Sequence, residues 1–177
     1  MFPCARQGLI YIAGGCNDLH EVLDSFSSYN PVIKEWTTLP PLRHPRCFFS
    51  LVALDDHIYA LAGQSGPSEH DNALDVCEKF SLTQPTPVDW YSRGISHHDH
   101  HRGWTTLLSK LPSPRAGHSA LAINGCIMVV GGRDNGSPTA APTTLNNVDR
   151  YDPEYDSWTR IGGGMLESHC EAATVLV

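Results

Sequence analysis

The densest group of chemistry-bearing side chains in this 177-residue sequence is His97-His98-Asp99-His100-His101. Imidazoles at that density hold zinc, nickel or copper when outer hydrogen bonds fix their rings. These lie between Pro85, Pro87 and Gly103, in a stretch that reads as a polar loop without such support, so no metal site is assigned. Trp90 and Tyr91 in the same stretch have the bulk of interface anchors, and equally of residues that pack a loop down. Six cysteines (Cys4, Cys16, Cys47, Cys77, Cys126, Cys170) show no Cys-x-x-Cys spacing. Each sits in or beside an apolar or turn segment, as free buried thiols of a reducing compartment do. No Gly-x-Ser-x-Gly, phosphate-binding loop, dinucleotide fingerprint or His-Glu-x-x-His occurs, so neither an enzyme nor a cofactor is expected.

The remaining chemistry is guanidinium chemistry. Arg43, His44, Arg46, Arg115 and Arg133 are spread over chain segments that a fold would have to bring together. Arginine is favoured at protein interfaces because its planar fork grips carboxylates at two points. The chain as a whole carries 12 Lys+Arg against 19 Asp+Glu, a net charge of −7, and no basic stripe, which argues against nucleic-acid binding. No apolar run reaches the roughly 18 residues of a membrane span, and the first residues lack the pattern of a signal peptide. A cytoplasmic protein is expected.

The elements that would position these arginines repeat. Gly8-Leu-Ile-Tyr-Ile-Ala-Gly14-Gly15 is followed by Tyr29-Asn30-Pro31 and Trp36. Asp56-His-Ile-Tyr-Ala-Leu-Ala62-Gly63 is followed by Phe80-Ser81-Leu82 and Trp104. Gly125-Cys-Ile-Met-Val-Val-Gly131-Gly132 is followed by Tyr151-Asp152-Pro153 and Trp158. The aromatic-to-Trp interval is 7 in the first and third copies (29 to 36, 151 to 158). The interval from Trp to the next arginine is 10 (36 to 46) and 11 (104 to 115), and from arginine to the second glycine 17 both times (46 to 63, 115 to 132). The second copy departs from this frame by a 17-residue insertion around 83–102; without it the period is about 50.

Each landmark has a physical role. The apolar runs 47–54 and 118–123 have strand length and read as strands buried on both faces. Asn124-Gly125 is a strong hairpin turn, Gly8 fills the same slot, and Asp55-Asp56 is a weaker turn former tolerant of positive φ. The glycine pairs end a strand where backbone turns close to a neighbour. Pro31 and Pro153 suit tight turns. Trp36, Trp104 and Trp158 are expected to plug between adjacent sheets.

Hairpin turn, apolar strand, Gly-Gly, loop, Tyr-Asp-Pro and Trp in that order resemble the kelch repeat, in which each copy is one four-stranded propeller blade. The resemblance implies an all-β propeller fragment: repeat 1 over 1–46 with an incomplete inner strand, repeat 2 over 47–114 with the insertion, repeat 3 over 115–166, and the start of a fourth over 167–177. The next arginine slot falls at Ser168, and 172–177 reads as a further inner strand. Three blades and a fraction leave sheet faces open, so an aggregation-prone partial ring, or a non-functional truncated product, is an expectation. The repeat is most similar to the kelch domain of BTB-kelch proteins. That similarity implies substrate recognition for a cullin-3 ubiquitin ligase, with cullin-3 engaged only through a BTB segment absent from these residues. A kelch scaffold or cytoskeletal module without ligase attachment is the alternative.

The loops that vary between copies are 16–21, 64–72 and 133–146. Together with the Trp-to-arginine connections they form the expected partner-binding face, with Asn17, Asp18, Arg43, His44, Arg46, Gln64, Arg115, Arg133 and Asp134 as candidate contacts. Arg46 and Arg115, in identical register, equally suit a structural role at strand ends or between blades.

Overall fold

The computed structural model describes residues 3–66, 72–83, 103–136 and 141–174, and every regular element among them is a β-strand. Three four-stranded antiparallel sheets follow one another along the chain. Blade 1 comprises β1 (Cys4–Arg6), β2 (Leu9–Ala13), β3 (Phe26–Asn30) and β4 (Glu35–Leu39). Blade 2 comprises β5 (Ser50–Leu54), β6 (His57–Leu61), β7 (Cys77–Ser81) and β8 (Trp104–Thr106). Blade 3 comprises β9 (Ser119–Ile123), β10 (Cys126–Val130), β11 (Val148–Asp152) and β12 (Ser157–Ile161). Each sheet is a meander whose strand order is its sequence order, and β1, β5 and β9 lie side by side as innermost strands. β1 spans three residues where β5 and β9 span five; Pro3, with no N–H to donate, precedes it.

The tight turns carry the backbone signature their residues suggested. Asn124 and Gly125 both have positive φ (49° and 73°), as a type I′ hairpin requires. Asp55 does so alone in its turn (51°). The Gly-Gly step shows why glycine is selected. Gly14 sits at φ 55°, and a Cβ there would stand 2.5 Å from the carbonyl oxygen of Arg46 on the next connection. Blade 2 puts Ala62 into the same left-handed slot (φ 49°), an alanine in a conformation that favours glycine.

Packing between blades follows a fixed rule. Each blade has a front row that sits on the back of the blade before it. Ile58, Phe80 and Trp104 of blade 2 lie in one cluster with Tyr11, Ala13 and Phe26 of blade 1. Ile127, Tyr151 and Trp158 of blade 3 meet Val52, Tyr59 and Leu61 of blade 2. Trp104 is 1% exposed and its indole N–H donates to the Pro40 carbonyl at 2.9 Å. Trp36 departs from the expected plug: it is 58% exposed, because its row (Ile10, Tyr29, Trp36) is the front of blade 1, against which no described residue of the chain packs.

Two further expectations need correction. The slot equivalent to Arg46 and Arg115 is filled by His169 rather than Ser168. The His169 carbonyl accepts from Gly132 N at 2.7 Å, as those of Arg46 and Arg115 accept from Gly15 (2.8 Å) and Gly63 (3.0 Å). The third Trp-to-slot interval is therefore 11 (158 to 169), like the second. Among the cysteines, Cys47, Cys77 and Cys126 are buried, but Cys16 and Cys170 are exposed, since both lie on connections outside the blade seams.

Candidate functional site

The meander order fixes which segments meet. β2 ends, β3 begins and β4 ends at one end of each blade, so the loop 14–25, the described loop residues 62–66, 72–76, 131–136 and 141–147, and the connections 40–49 and 107–118 gather there. The hairpin turns, and the strand ends that flank the insertion, lie at the other end. The candidate contacts thus come from two kinds of segment on a common face. The His97–His101 cluster, Trp90 and Tyr91 lie outside the described residues.

Arg46 and Arg115 are at that end but not on its surface. Both are fully buried. Arg46 donates to the carbonyls of Ala62 (2.7 Å) and Val76 (2.8 Å) and pairs with Glu78 at 2.5 Å. Arg115 donates to the carbonyl of Gly131 (3.1 Å) and pairs with Asp149 at 2.5 Å. Each therefore ties the connection entering a blade to the turn that follows β6 or β10 and to an acid on the third strand of that blade. They are interior clamps, and as partner contacts they are inaccessible: the carboxylate and carbonyls offset the cost of taking each guanidinium out of water.

The acids were not singled out by sequence, although a signal was present. Glu78 and Asp149 each lie two residues before the aromatic landmark (Phe80, Tyr151), and blade 1 has Ser27 there. Glu78 is fully buried and also accepts from the backbone N–H groups of Arg43 (2.8 Å) and His44 (3.1 Å), with His44 Nδ1 2.8 Å away. Asp149 takes a second guanidinium, Arg160, at 2.9 Å.

The surface of the face is carried by fewer residues. Arg43 and His44 are exposed; the Arg43 Nε donates to the Trp104 carbonyl at 2.8 Å, which orients its outer nitrogens. Arg133 is partly exposed at the seam of blades 2 and 3, with its guanidinium 5.7 Å over the Phe48 ring and 3.2 Å from Gln64 Oε1. Gln64 is 2% exposed, so it supports Arg133 rather than meeting a partner. Phe48 was not foreseen: it holds φ 51°, a strained setting for an aromatic residue. Asn135, also not foreseen, joins two loops by accepting from Ala73 N and donating to its carbonyl. Asn17 is half-buried and braces its own loop, its Oδ1 accepting from Leu19 N and Glu21 N; Asp18 is exposed. Asp134 folds the 133–146 loop by accepting from Gly136 N, Thr143 N and Thr143 Oγ1. Partial burial works against its charge, but these bonds hold its carboxyl below the usual range.

A cavity of about 630 Å3 opens at the opposite, hairpin end, lined among others by Asp55, His57, Lys79, Cys126, Arg150 and Asp152. Its mixed charges single out no ligand class. No cluster of metal-ligating side chains occurs among the described residues, and no helix long and apolar enough to cross a membrane is found among them.

Four-stranded meanders that stack front to back, with Trp104 and Trp158 at the two seams and a left-handed turn after each second strand, define a β-propeller repeat protein. The chain belongs to the Kelch motif family, whose model matches residues 3–43, 45–86 and 114–164. Kelch-like protein 41a of Danio rerio is 24% identical over 97% of this chain, and Kelch-like protein 23 of Pongo abelii 25% over 94%. Alpha-scruin of Limulus polyphemus is 28% identical over 73%. The chain spans about a quarter of the length of the two kelch-like relatives and 12% of the scruin. The solved structure of YjhT shares the fold with a TM-score of 0.73 at 13% identity, covering 97% of this chain and 57% of that one. The relatives support a protein-interaction kelch domain.

Proposed function

We propose that the loop end is a docking face for a short acidic segment of a partner protein, and that the chain is the substrate-recognition part of a cullin-3 ubiquitin ligase adaptor. One observation carries the docking: Arg43 and His44 from one connection and Arg133 from a separate loop reach the surface of one face over a scaffold clamped from within by Arg46 and Arg115. Cations oriented by fixed partners lose little side-chain freedom on meeting a carboxylate. The adaptor role rests on the likeness to kelch-like proteins and would require a BTB segment to engage cullin-3. Likeness to the scruins favours a second reading, a kelch scaffold without ligase attachment.

Affinity capture of the full-length product alongside this chain separates the two. Cullin-3 recovered only with the full-length protein supports the adaptor; structural proteins without cullin-3 support the scaffold. Reversing charge at Arg43 and Arg133 should weaken the captured partner at least about tenfold if the face docks it, and unchanged affinity would sink the docking proposal.

A further inference from the structure

We infer that Phe48 is a positioning residue of the docking face: its ring, carried on a strained backbone, sets the Arg133 guanidinium for edge-on capture of a partner's carboxylate. The inference rests on the docking reading above and adds what makes Arg133 selective.

Comparison of the repeats shows what the slot itself requires. Phe48 and Gly117 are counterparts, each two residues after a clamping arginine (Arg46, Arg115), and both lie in the left-handed region, at φ 51° and 63°. The conformation serves a backbone chain that runs from one connection to the next. Gly117 N donates to the Phe48 carbonyl at 2.7 Å, and the Gly117 carbonyl accepts from Glu171 N at 2.6 Å. These bonds use no side chain. Glycine satisfies them without strain, whereas an aromatic residue crowds its own backbone at positive φ. The architecture asks for a left-handed residue here and does not ask for a ring.

The ring serves the surface instead. Phe48 is partly exposed and belongs to neither core cluster. The Arg133 Cζ stands over it, 5.7 Å from its centroid, within the range of a cation–π contact. Arg133 Nη2 also donates to Gln64 Oε1 at 3.2 Å, and Gln64 is itself buried. A ring beneath and an amide beside, both supplied by blade 2, thus fix the plane of a guanidinium supplied by blade 3. With its face against the ring, the guanidinium meets a ligand along its edge, the geometry of a two-point carboxylate bond. A lysine ammonium has no plane to orient and would gain little from the same seat. Fixing the fork in advance also removes part of the ordering cost of docking. Backbone strain held in place beside such a contact is the pattern expected at binding positions.

The test is fluorescence anisotropy of a fluorescein-labelled oligoglutamate peptide titrated with the 177-residue chain at low ionic strength, beside thermal melts of each variant. Phe48→Gly and Phe48→Ala should each weaken peptide binding at least about fivefold. Phe48→Gly should melt cooperatively and at a higher temperature than Phe48→Ala, since both lack the ring and only glycine relieves the backbone. Phe48→Tyr keeps a ring under the guanidinium and should bind within about twofold of the wild type. Phe48→Leu keeps apolar bulk alone and should bind as weakly as Phe48→Gly. Arg133→Lys keeps the charge and should still lose at least about fivefold. Undiminished binding by Phe48→Gly, Phe48→Leu or Arg133→Lys, with binding lost in Arg133→Gln, would overturn the inference and leave the docking reading standing. Phe48→Gly melting below Phe48→Ala would overturn the strained-slot argument and the inference with it. Binding that survives Arg133→Gln unchanged would remove the docking at Arg133, and the positioning role falls with it.

Discussion

Blades 2 and 3 solve one packing problem with different residues. In blade 2, Phe49 packs under Gly63 of its own blade and reaches Gly14 of blade 1, and in blade 3 His118 takes the corresponding place under Gly132. Phe49 is apolar and fully compatible with burial. His118 is 1% exposed, and neither ring nitrogen has a hydrogen-bond partner among the described residues. The clamps differ as well. Glu78 serves one buried guanidinium and an imidazole, while Asp149, one methylene shorter, serves two guanidiniums, Arg115 and Arg160. Repeats therefore conserve the register of an interaction and leave its chemistry free, as expected where each blade touches only its neighbours.

The clamps should show the largest effect. Glu78→Gln leaves Arg46 charged and buried without a counter-ion and should cost about 3–5 kcal/mol, read from the urea midpoint at fixed protein concentration. The double variant Arg46→Met with Glu78→Leu should recover most of that loss. If Asp149→Asn costs far less than Glu78→Gln, the second guanidinium at Asp149 is not equivalent to the imidazole at Glu78.

The Trp series grades the front rows. Trp104→Ala should cost about 3–5 kcal/mol, Trp158→Ala less, and Trp36→Ala under about 1 kcal/mol. Equal losses at Trp36 and Trp104 would contradict the exposed setting of Trp36.

His118 sharpens the comparison with Phe49 through pH. Burial first, and then the charge of Arg115, push its imidazole down to about 3 from the ordinary 6.5. The folded state thus binds fewer protons than the unfolded one. The stability concerned is intact above pH 6.5 and is lost as pH falls toward 3, at up to about 1.4 kcal/mol per pH unit. His118→Phe should flatten this acid limb and raise stability at pH 5 by about 1–2 kcal/mol, measured by melts between pH 4 and 8. An unchanged limb would mean that His118 titrates normally.

The smallest effect belongs to Ala62. Ala62→Gly restores the residue its left-handed backbone favours and should stabilise by about 1 kcal/mol, seen as a rise in the melting temperature.

The fold was legible in the sequence because a repeat multiplies weak signals: Asn124-Gly125, the glycine pairs and the Trp spacings agree in register although each alone is modest. What was not legible came from contacts across the repeat boundary. Arg46 and Arg115 gave the same spacing whether they faced solvent or the interior. Only the position of Glu78 and Asp149, more than thirty residues on, decides between them. Trp36 looks like its two counterparts in sequence, yet its burial depends on a neighbour that precedes it in space. The surface of the docking face was legible in part: Arg43, His44 and Arg133 reach it, whereas Phe48 and Asn135 act through a φ angle and a cross-loop bond that no residue pattern announces.

The Arg46 clamp also bears on how the chain responds to tension. Arg46 lies on the single covalent link between blades 1 and 2, and its guanidinium grips the Ala62 and Val76 carbonyls and Glu78 at once. A pull transmitted along that link reaches the buried charge cluster before it reaches the strand ladders of blade 2, so the clamp acts as a mechanical fuse. Under load blade 1 should peel away first, with blade 2 yielding only in a later, larger force event.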